Sequence, residues 1–578
     1  MAILKLGVVD PEVNQLQQRL KDLGFYEGTI GGTFDLETKR AVKAFQKISG
    51  FAKEDVDGIV GPKTSATLST AKTLSLSTLA ISAQVLTLRE LVADKGLVWQ
   101  LQNKLRSLGL YGGGKLLDGA FGSNTRAALI EFCNATSLSS MTPQEKFDRT
   151  FAQTLIDCKF IPQVLSSAKT NKSKILDEFQ RVETSLGASA NYPPGLAFLD
   201  REVDDSVYAQ QVDSYPGRLE ILPDGQDLVS LGDSITLTNS SQTVTFSPYP
   251  KRGAIATPID EDGLKFLDAK IDVACVCIGS LVDGKMKAHW LGKNALEPVQ
   301  FLSATKFIAI LNVVEQAHKE SSNNPSFSIS DCIVRAIGTS SPAFKFQDLI
   351  IDITSYRGDD ILRSNKAATM FKQFSTPTGL EKWIRDATGN NLTGSRKLVF
   401  QGSYSAVTGG EAIWDSPALF VDTSATKPLL SPKAEHNGSN FISAYDLTRL
   451  ISMMGWHQYL PEESQLKDAK WNSLSSVIRG MGWDRSRYID VAIETLGLEN
   501  VISSPVILSK MGLGDSGLTY VALVQFVDEM PKMAGKPAKL RTLAMALRTP
   551  GTAHLDNDAR MAAEVTEIIR RVVTEELA

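Results

Sequence analysis

At 578 residues the chain exceeds what one hydrophobic core organises, so three or four domains are expected. Hydrophobic residues make up 43%, charged residues 22%, and the net charge is -4. This is ordinary soluble globular material, and with no block of Lys and Arg it argues against a dedicated nucleic-acid binder. No run of about 18 apolar residues spells a membrane span. The opening "MAILKLGVVDPEVNQ" lacks the charged-then-apolar pattern of a secretory signal. The cysteines Cys133, Cys158, Cys275, Cys277 and Cys332 are few, odd in number and without zinc-ligand spacing, so neither a disulfide scaffold nor a metal or other cofactor is expected. Cys275 and Cys277 share one face of a strand and are expected as buried thiols.

The front of the chain is an internal repeat. "VNQLQQRLKDLGFYEGTIGGTFDLETKRAVKAFQ" returns as "VWQLQNKLRSLGLYGGGKLLDGAFGSNTRAALIEF". Leu16, Leu20, Leu23, Gly24 and Tyr26 recur as Leu101, Leu105, Leu108, Gly109 and Tyr111. After a two-residue insertion in the Gly-rich loop, Phe34, Thr38, Ala41 and Phe45 recur as Phe121, Thr125, Ala128 and Phe132. Leu16, Leu20 and Leu23 form one helix face, closed by a glycine placed as a helix C-cap. Thr38, Ala41 and Phe45 begin a second helix, and "VDGIVGPKTSATL" supplies a Gly-Pro turn and a third.

The stretches "LQQRLKDLGFY", "GTFDLETKRAVKAFQ" and "DGIVGPKTSATL" resemble the peptidoglycan-binding domain of the three-helix type. The resemblance covers residues 8–70 well. It covers 95–158 less closely, because "TPQEKFDRTFAQTL" stands where the glycine turn belongs. It implies peptidoglycan or muropeptides as the partner, held by the loops that carry Tyr26, Phe34, Asp57 and Thr64. Two weak modules acting together would gain by effective concentration.

"SATLSTAKTLSLSTLAISAQ" reads as a linker, giving module 1 at 1–72, linker at 73–94 and module 2 at 95–160. In 161–260, Val/Ile/Thr alternation broken by Pro-Asp-Gly, Leu-Gly-Asp and Asn-Ser-Ser predicts a connecting region with a small β meander. From 261 to 578 the pattern changes again. "DVACVCIGSLVDGKMKAHWLG" predicts a hairpin about Asp-Gly, and an apolar helix follows. The middle is mostly helical. Strands return at "SPVILSKMGLG", "GLTYVALVQFVDEM" and "LRTLAMAL" before a closing amphipathic helix. Strands from both ends with helices between predict an α+β domain: one antiparallel sheet flanked by helices. The whole is therefore expected to be multidomain, with two small all-α modules, a small β-rich connection and a C-terminal α+β domain.

"QFLSATKFIAIL" sets Ser303 three residues before Lys306 at the start of that apolar helix. Side chains at this spacing share a helix face. A serine hydroxyl becomes a nucleophile when a neighbouring base takes its proton, and a lysine can be that base only when neutral. The helix start adds free N–H groups for a developing oxyanion. The same letters at Ser424–Lys427 are followed by Pro428 and by no apolar helix, and are read as coincidence.

The order hairpin, "EPVQFLSATKF", helix resembles the penicillin-recognising serine enzymes, the class A β-lactamase and DD-peptidase family. Two further motifs of that family follow. "ILRSNKAATMFKQF" stands for the S-x-N turn, with Asn365 placed 62 residues beyond Ser303. "ILSKMGLGDSGLTYVALVQF" stands for the K-T-G strand, with Lys510 and Gly512 retained. "ISAYDLTRLISMM" resembles the helix before that strand. The resemblance implies Ser303 as nucleophile, Lys306 as base, Asn365 against the substrate amide and Lys510 toward its carboxylate. Substrates would be peptidoglycan stem peptides or β-lactams.

Three departures stand out. Arg363 aligns with the second motif's serine, leaving Ser364 one position late and expected to point elsewhere. Met511 replaces the third motif's threonine. For the deacylating glutamate, Glu411 in "TGGEAIWDSP" is a candidate weighed against a plain surface residue. The expected function is a cell-wall-directed serine acyl-enzyme working in the envelope or outside the cell, exported by a route not visible here. The alternative is an inactive member of the fold acting as a wall-binding scaffold.

Overall fold

The computed structural model describes residues 3–577 except 113–114, 139–145, 186–194, 202, 223–227, 323, 325–326, 338–342, 356–360, 405–417 and 424–427, and except the side chains of 336 and 361–363. In the first unit, α1 (Pro11–Asp22), α2 (Leu36–Ile48) and α3 (Pro62–Thr70) pack around Leu16, Leu20, Phe34, Val42 and Phe45. Sequence starts these helices as expected. Asp10 and Asp35 cap α1 and α2 through backbone N–H groups of Glu12 and Thr38, and Pro62 opens α3. The second unit repeats this with α4 (Lys95–Ser107), α5 (Ser123–Ala135) and α6 (Arg149–Asp157) around Leu101, Leu105, Leu129, Phe132 and Phe151. Gly24 and Gly109 follow α1 and α4 with φ of 76° and 77°, the left-handed cap the repeat predicted.

A buried glutamine ties each Gly-rich loop to its unit. Gln17 accepts from the N–H groups of Gly31 and Gly32 and donates to Thr33 O and Thr38 Oγ1. Gln102 accepts from Asp118 and Gly119 N–H and donates to Ala120 O and Thr125 Oγ1. The same side chain therefore satisfies the same loop backbone in both copies, which duplication requires and apolar periodicity does not reveal.

The expected β meander after the second unit is largely corrected. α7 (Pro162–Thr170) and α8 (Lys172–Ser185) come first, and Phe179 and Val182 of α8 bury against the C-terminal helix. Strand structure is confined to short pieces. Ser234–Thr236 pairs with Thr243–Thr245, Leu228–Val229 and Ser247–Pro248 join the main sheet, and Ile259–Asp260 lies parallel to one of its strands. The Pro- and Asn-bounded helices of 162–185 carry a polar face that reads like loop.

The C-terminal half forms around β1 (Val273–Val282) and β2 (Lys285–Lys293), joined at Asp283 and Gly284 with φ of 50° and 72°. There follow α9 (Lys306–Glu320), α10 (Ile361–Gln373), α11 (Ala444–Gly455) and α12 (Tyr488–Thr495). Then come β3 (Ile502–Gly514), β4 (Gly517–Asp528), β5 (Ala538–Pro550) and α13 (His554–Thr574). The strands run antiparallel in the order β3-β4-β5-β1-β2. Both ends of this half thus build one sheet, the α+β arrangement predicted. Alternate residues divide it: Val506, Leu508, Val521 and Leu523 face α9 and α11, while Ile507, Met511, Tyr520 and Val524 face α12 and α13. Phe307, Ile308, Ile310, Leu311, Val313 and Val314 of α9 are fully buried. At about 1.5–3 kcal/mol for each such side chain, this helix is anchored by burial. Cys275 and Cys277 are buried on β1, and burial raises both thiols. Among the described residues no helix is long and apolar enough to cross a membrane.

Candidate functional site

Ser303 lies in a 3₁₀ turn, Leu302–Thr305, that runs directly into α9. Leu302 takes the left-handed conformation, φ 52°, where the chain turns from Phe301 into the helix. Ser303 is partly exposed, and Lys306 is fully buried one turn on. Lys306 Nζ donates to Ser364 Oγ at 2.9 Å, and Ser364 Oγ donates to Ile353 O at 3.1 Å. Ser364 is itself fully buried. The expectation that Ser364 points elsewhere is therefore corrected. One residue on a helix turns a side chain by about 100°, and the register of α10 brings Ser364, at the position after the aligned Arg363, to the lysine. Asn365 follows, half-buried. The Arg363 side chain, Glu411 and the second S-A-T-K at Ser424–Lys427 lie outside the described residues.

The end of β3 forms the opposite wall. A Cβ on Gly512 would stand 2.8 Å from Phe301 O and 2.9 Å from Ala304 N, so only glycine lets the strand approach the serine turn. Thr519 on β4 fixes the same turn by donating to Phe301 O at 2.7 Å. Lys510 is fully buried; its Nζ lies 3.8 Å from Asp484 Oδ1 and donates to Met511 O at 3.2 Å. Ser509 Oγ donates to the other oxygen of Asp484. The lysine expected to attract a substrate carboxylate thus already faces a buried carboxylate. Met511 points to the other side of the sheet, into the core beside α12 and α13.

Two residues near the turn were missed in the sequence. Tyr404 OH shares a hydrogen bond with Thr305 Oγ1 at 3.1 Å, and its ring centroid lies 5.9 Å from Lys306 Nζ and 5.1 Å from Lys372 Nζ. Lys372 is buried on α10, two turns beyond Ser364, and donates to Gly402 O and Asn440 Oδ1 while lying 3.9 Å over the Phe400 ring. Burial pulls this amine down to about 7, against the opposing pull of Glu381. Neither residue belongs to a short motif, and no local signal in the sequence marks them.

In the first unit the expected wall contacts are mostly internal. Phe34 is fully buried, Tyr26 is buried with its hydroxyl donating to Thr29 O, and Thr64 is buried and bonded to Gln46 and Ile59. These three hold their loops from inside, because the small module has few other side chains with which to fill its core. Asp57 is exposed, with Oδ1 accepting from Gln46 Nε2 and Ile59 N.

Residues 9–68 match the family model described as a putative peptidoglycan binding domain. The chain is 47% identical over 53 residues to the N-acetylmuramoyl-L-alanine amidase CwlM of Mycobacterium tuberculosis, a match covering 9% of this chain and 12% of that one. It is 39% identical over 66 residues to the spore cortex-lytic enzyme of Bacillus subtilis, covering 11% and 21%. The chain therefore spans about an eighth and a fifth of those two curated relatives. Among solved structures, a β-lactamase from Sphaerobacter thermophilus aligns at TM-score 0.31 and 12% identity, over 55% of this chain and 97% of that one. A structure of PBP-A aligns at TM-score 0.33 and 11% identity, over 56% and 97%.

Proposed function

We propose that this protein is a cell-wall-directed serine hydrolase that forms an acyl-enzyme at Ser303, brought to peptidoglycan by its front modules. The observation that carries the reading is the buried Lys306 Nζ, bonded to Ser364 Oγ one turn from a partly exposed serine. Lys306 in its neutral form takes the Ser303 proton as Oγ attacks a peptide or β-lactam carbonyl. The C–O bond forms and the carbonyl electrons move to oxygen. N–H groups of Ser303 and of the β3 end, held close by Gly512, receive that oxyanion. As the C–N bond breaks, the proton passes from Lys306 through Ser364 to the leaving nitrogen. Asn365 lies beside Ser364 to hold the substrate amide. Water, or the amine of a second peptide, then releases the acyl group. The fold admits DD-peptidase and β-lactamase chemistry alike, and the front modules favour the wall as the place of action.

Incubation with a fluorescent penicillin followed by intact-mass spectrometry tests this. The expected result is an adduct on the native chain that is lost in Ser303→Ala. A folded native chain that gains no mass would overturn the reading and leave a wall-binding scaffold.

A further inference from the structure

A cavity of about 870 Å³ lies where the two front modules meet the C-terminal half. Its walls come from α2, from α4, from residues 195–201 and 205–211 and from the end of α12 with the following turn. The docking that encloses it is close. A Cβ on Gly109 would stand 2.7 Å from Gly497 N, and Asn500 Nδ2 donates to Ser107 O. Arg106 and Arg201, from the second module and the connecting region, each donate to Glu494 Oε1 at 2.5 Å. The cavity is thus a built junction.

Its lining is chemically mixed in a specific way. Trp99 is half-buried and tilted against Phe25, ring centroids 5.0 Å apart, which leaves an aromatic surface on the cavity wall. Asn103, one turn along α4, brings an amide. Arg201 Nη1 and Arg106 Nε are buried with no hydrogen-bond partner among the described residues. Glu494 Oε2 and Glu499 Oε2 beside them are likewise buried without a hydrogen bond among the described residues, so donors and acceptors both await a ligand that carries a carboxylate and an ammonium. α2 lines the cavity with both signs, Lys43 and Glu37. An aromatic face suits a sugar ring, an amide suits an N-acyl group, and separated charges of both signs suit a zwitterionic peptide.

We propose that this junction cavity binds a muropeptide fragment, an N-acylated amino sugar carrying a short zwitterionic peptide, with the sugar on Trp99 and a carboxylate at Arg201. This rests on the wall-directed function above and adds where recognition occurs: at the seam between modules. It places the ligand beside the start of the first unit's Gly-rich loop, where Phe25 and Glu27 line the cavity, and not on the inward-turned Tyr26 and Phe34.

The test uses the full chain and disaccharide-tetrapeptides released from purified sacculi by a muramidase. Calorimetric titration should show binding to the native chain and a loss of about tenfold in affinity in both Trp99→Ala and Arg201→Lys. The lysine keeps a cation for Glu494 while removing the guanidinium fork. Should Trp99→Ala fold poorly, the indole N–H resonance of Trp99 in the labelled native chain, assigned through Trp99→Phe, should shift on titration. Equal affinity in both variants, or an unmoved Trp99 resonance during binding, overturns the cavity and leaves wall binding intact elsewhere. Retention of the chain by whole sacculi without binding of the fragment also overturns it. Failure of both fragment and sacculi to bind removes the wall-directed reading as well.

Discussion

Lys306 Nζ and Ser364 Oγ stand 2.9 Å apart, joining the first turn of α9 to the face of α10. Both residues are fully buried, so the bond is shielded from water. Ser364→Ala should lower the rate of acylation by a fluorescent penicillin by about two- to tenfold, from roughly 0.5–1.5 kcal/mol for a hydrogen bond between uncharged groups. Ser364→Thr, which keeps a hydroxyl, should recover much of it. A stopped-flow acylation rate unchanged in Ser364→Ala would remove this serine from the proton path.

Gly512 is held to glycine by distance. Its Cβ would lie within 2.8 Å of Phe301 O and 2.9 Å of Ala304 N, both backbone atoms that cannot swing aside. Gly512→Ala should therefore force β3 away from the serine turn at a cost of about 1–3 kcal/mol. A lower melting temperature together with slower acylation is expected. A melting curve identical to the native one would show that strand and turn are not in contact.

Tyr404 couples the turn to a loop far along the chain. Tyr404→Phe deletes the bond to Thr305 Oγ1 but keeps the ring beside Lys306 and Lys372. The loss should be modest, about 0.5–1.5 kcal/mol, or up to about tenfold in acylation. Tyr404→Ala, which also removes the ring, should cost more. Equal rates in the two variants would mean that the ring contributes nothing.

Lys372 links the same loop to pH. Its amine is pulled down to about 7 by burial, with Glu381 opposing, whereas in the unfolded chain a lysine titrates near about 10.4. The unfolded state then binds more protons between these values, so stability rises with pH across that window. Below pH about 7 the folded state bears the full cost of the buried charge, and above about 10.4 none. Relative to Lys372→Met, the native chain should gain stability from pH 7 to 10, by up to about 4 kcal/mol at 1.36 kcal/mol per unit. Parallel denaturation midpoints for the two chains over that range would show that Lys372 does not titrate there.

Periodicity carried the architecture because burial obeys it. Leu16, Leu20 and Leu23 lie in sequence order on one face, and the strands read at "SPVILSKMGLG" and "GLTYVALVQFVDEM" form β3 and β4. Ser303 and Lys306 were legible because their spacing is local and falls within one turn. Ser364 was misjudged because aligned letters carry no rotation, and a single helix position decides which side chain meets the lysine. Tyr404 reaches Thr305 across most of a hundred residues, and Asp484 reaches Lys510 from a separate loop, so no window of sequence contains either pair. The helices of 162–185 were hidden because only one narrow stripe of each is apolar.

Gln17 and Gln102 give the last test, since they mark what the repeat is for. Each spans a Gly-rich loop, accepting two backbone N–H groups and donating to a carbonyl and a threonine hydroxyl. Removing either leaves the buried N–H of Gly32 or of Gly119 unbonded, at about 1–3 kcal/mol for such a group. Gln17→Leu and Gln102→Leu, which preserve volume, should each destabilise their own module. Hydrogen exchange should then quicken at Gly31 and Gly32 in the first variant and at Asp118 and Gly119 in the second, with α9 protected in both. Exchange that quickens in the C-terminal sheet as well would mean that the modules unfold together with it; exchange unchanged at the glycines would mean that the glutamines do not hold the loops.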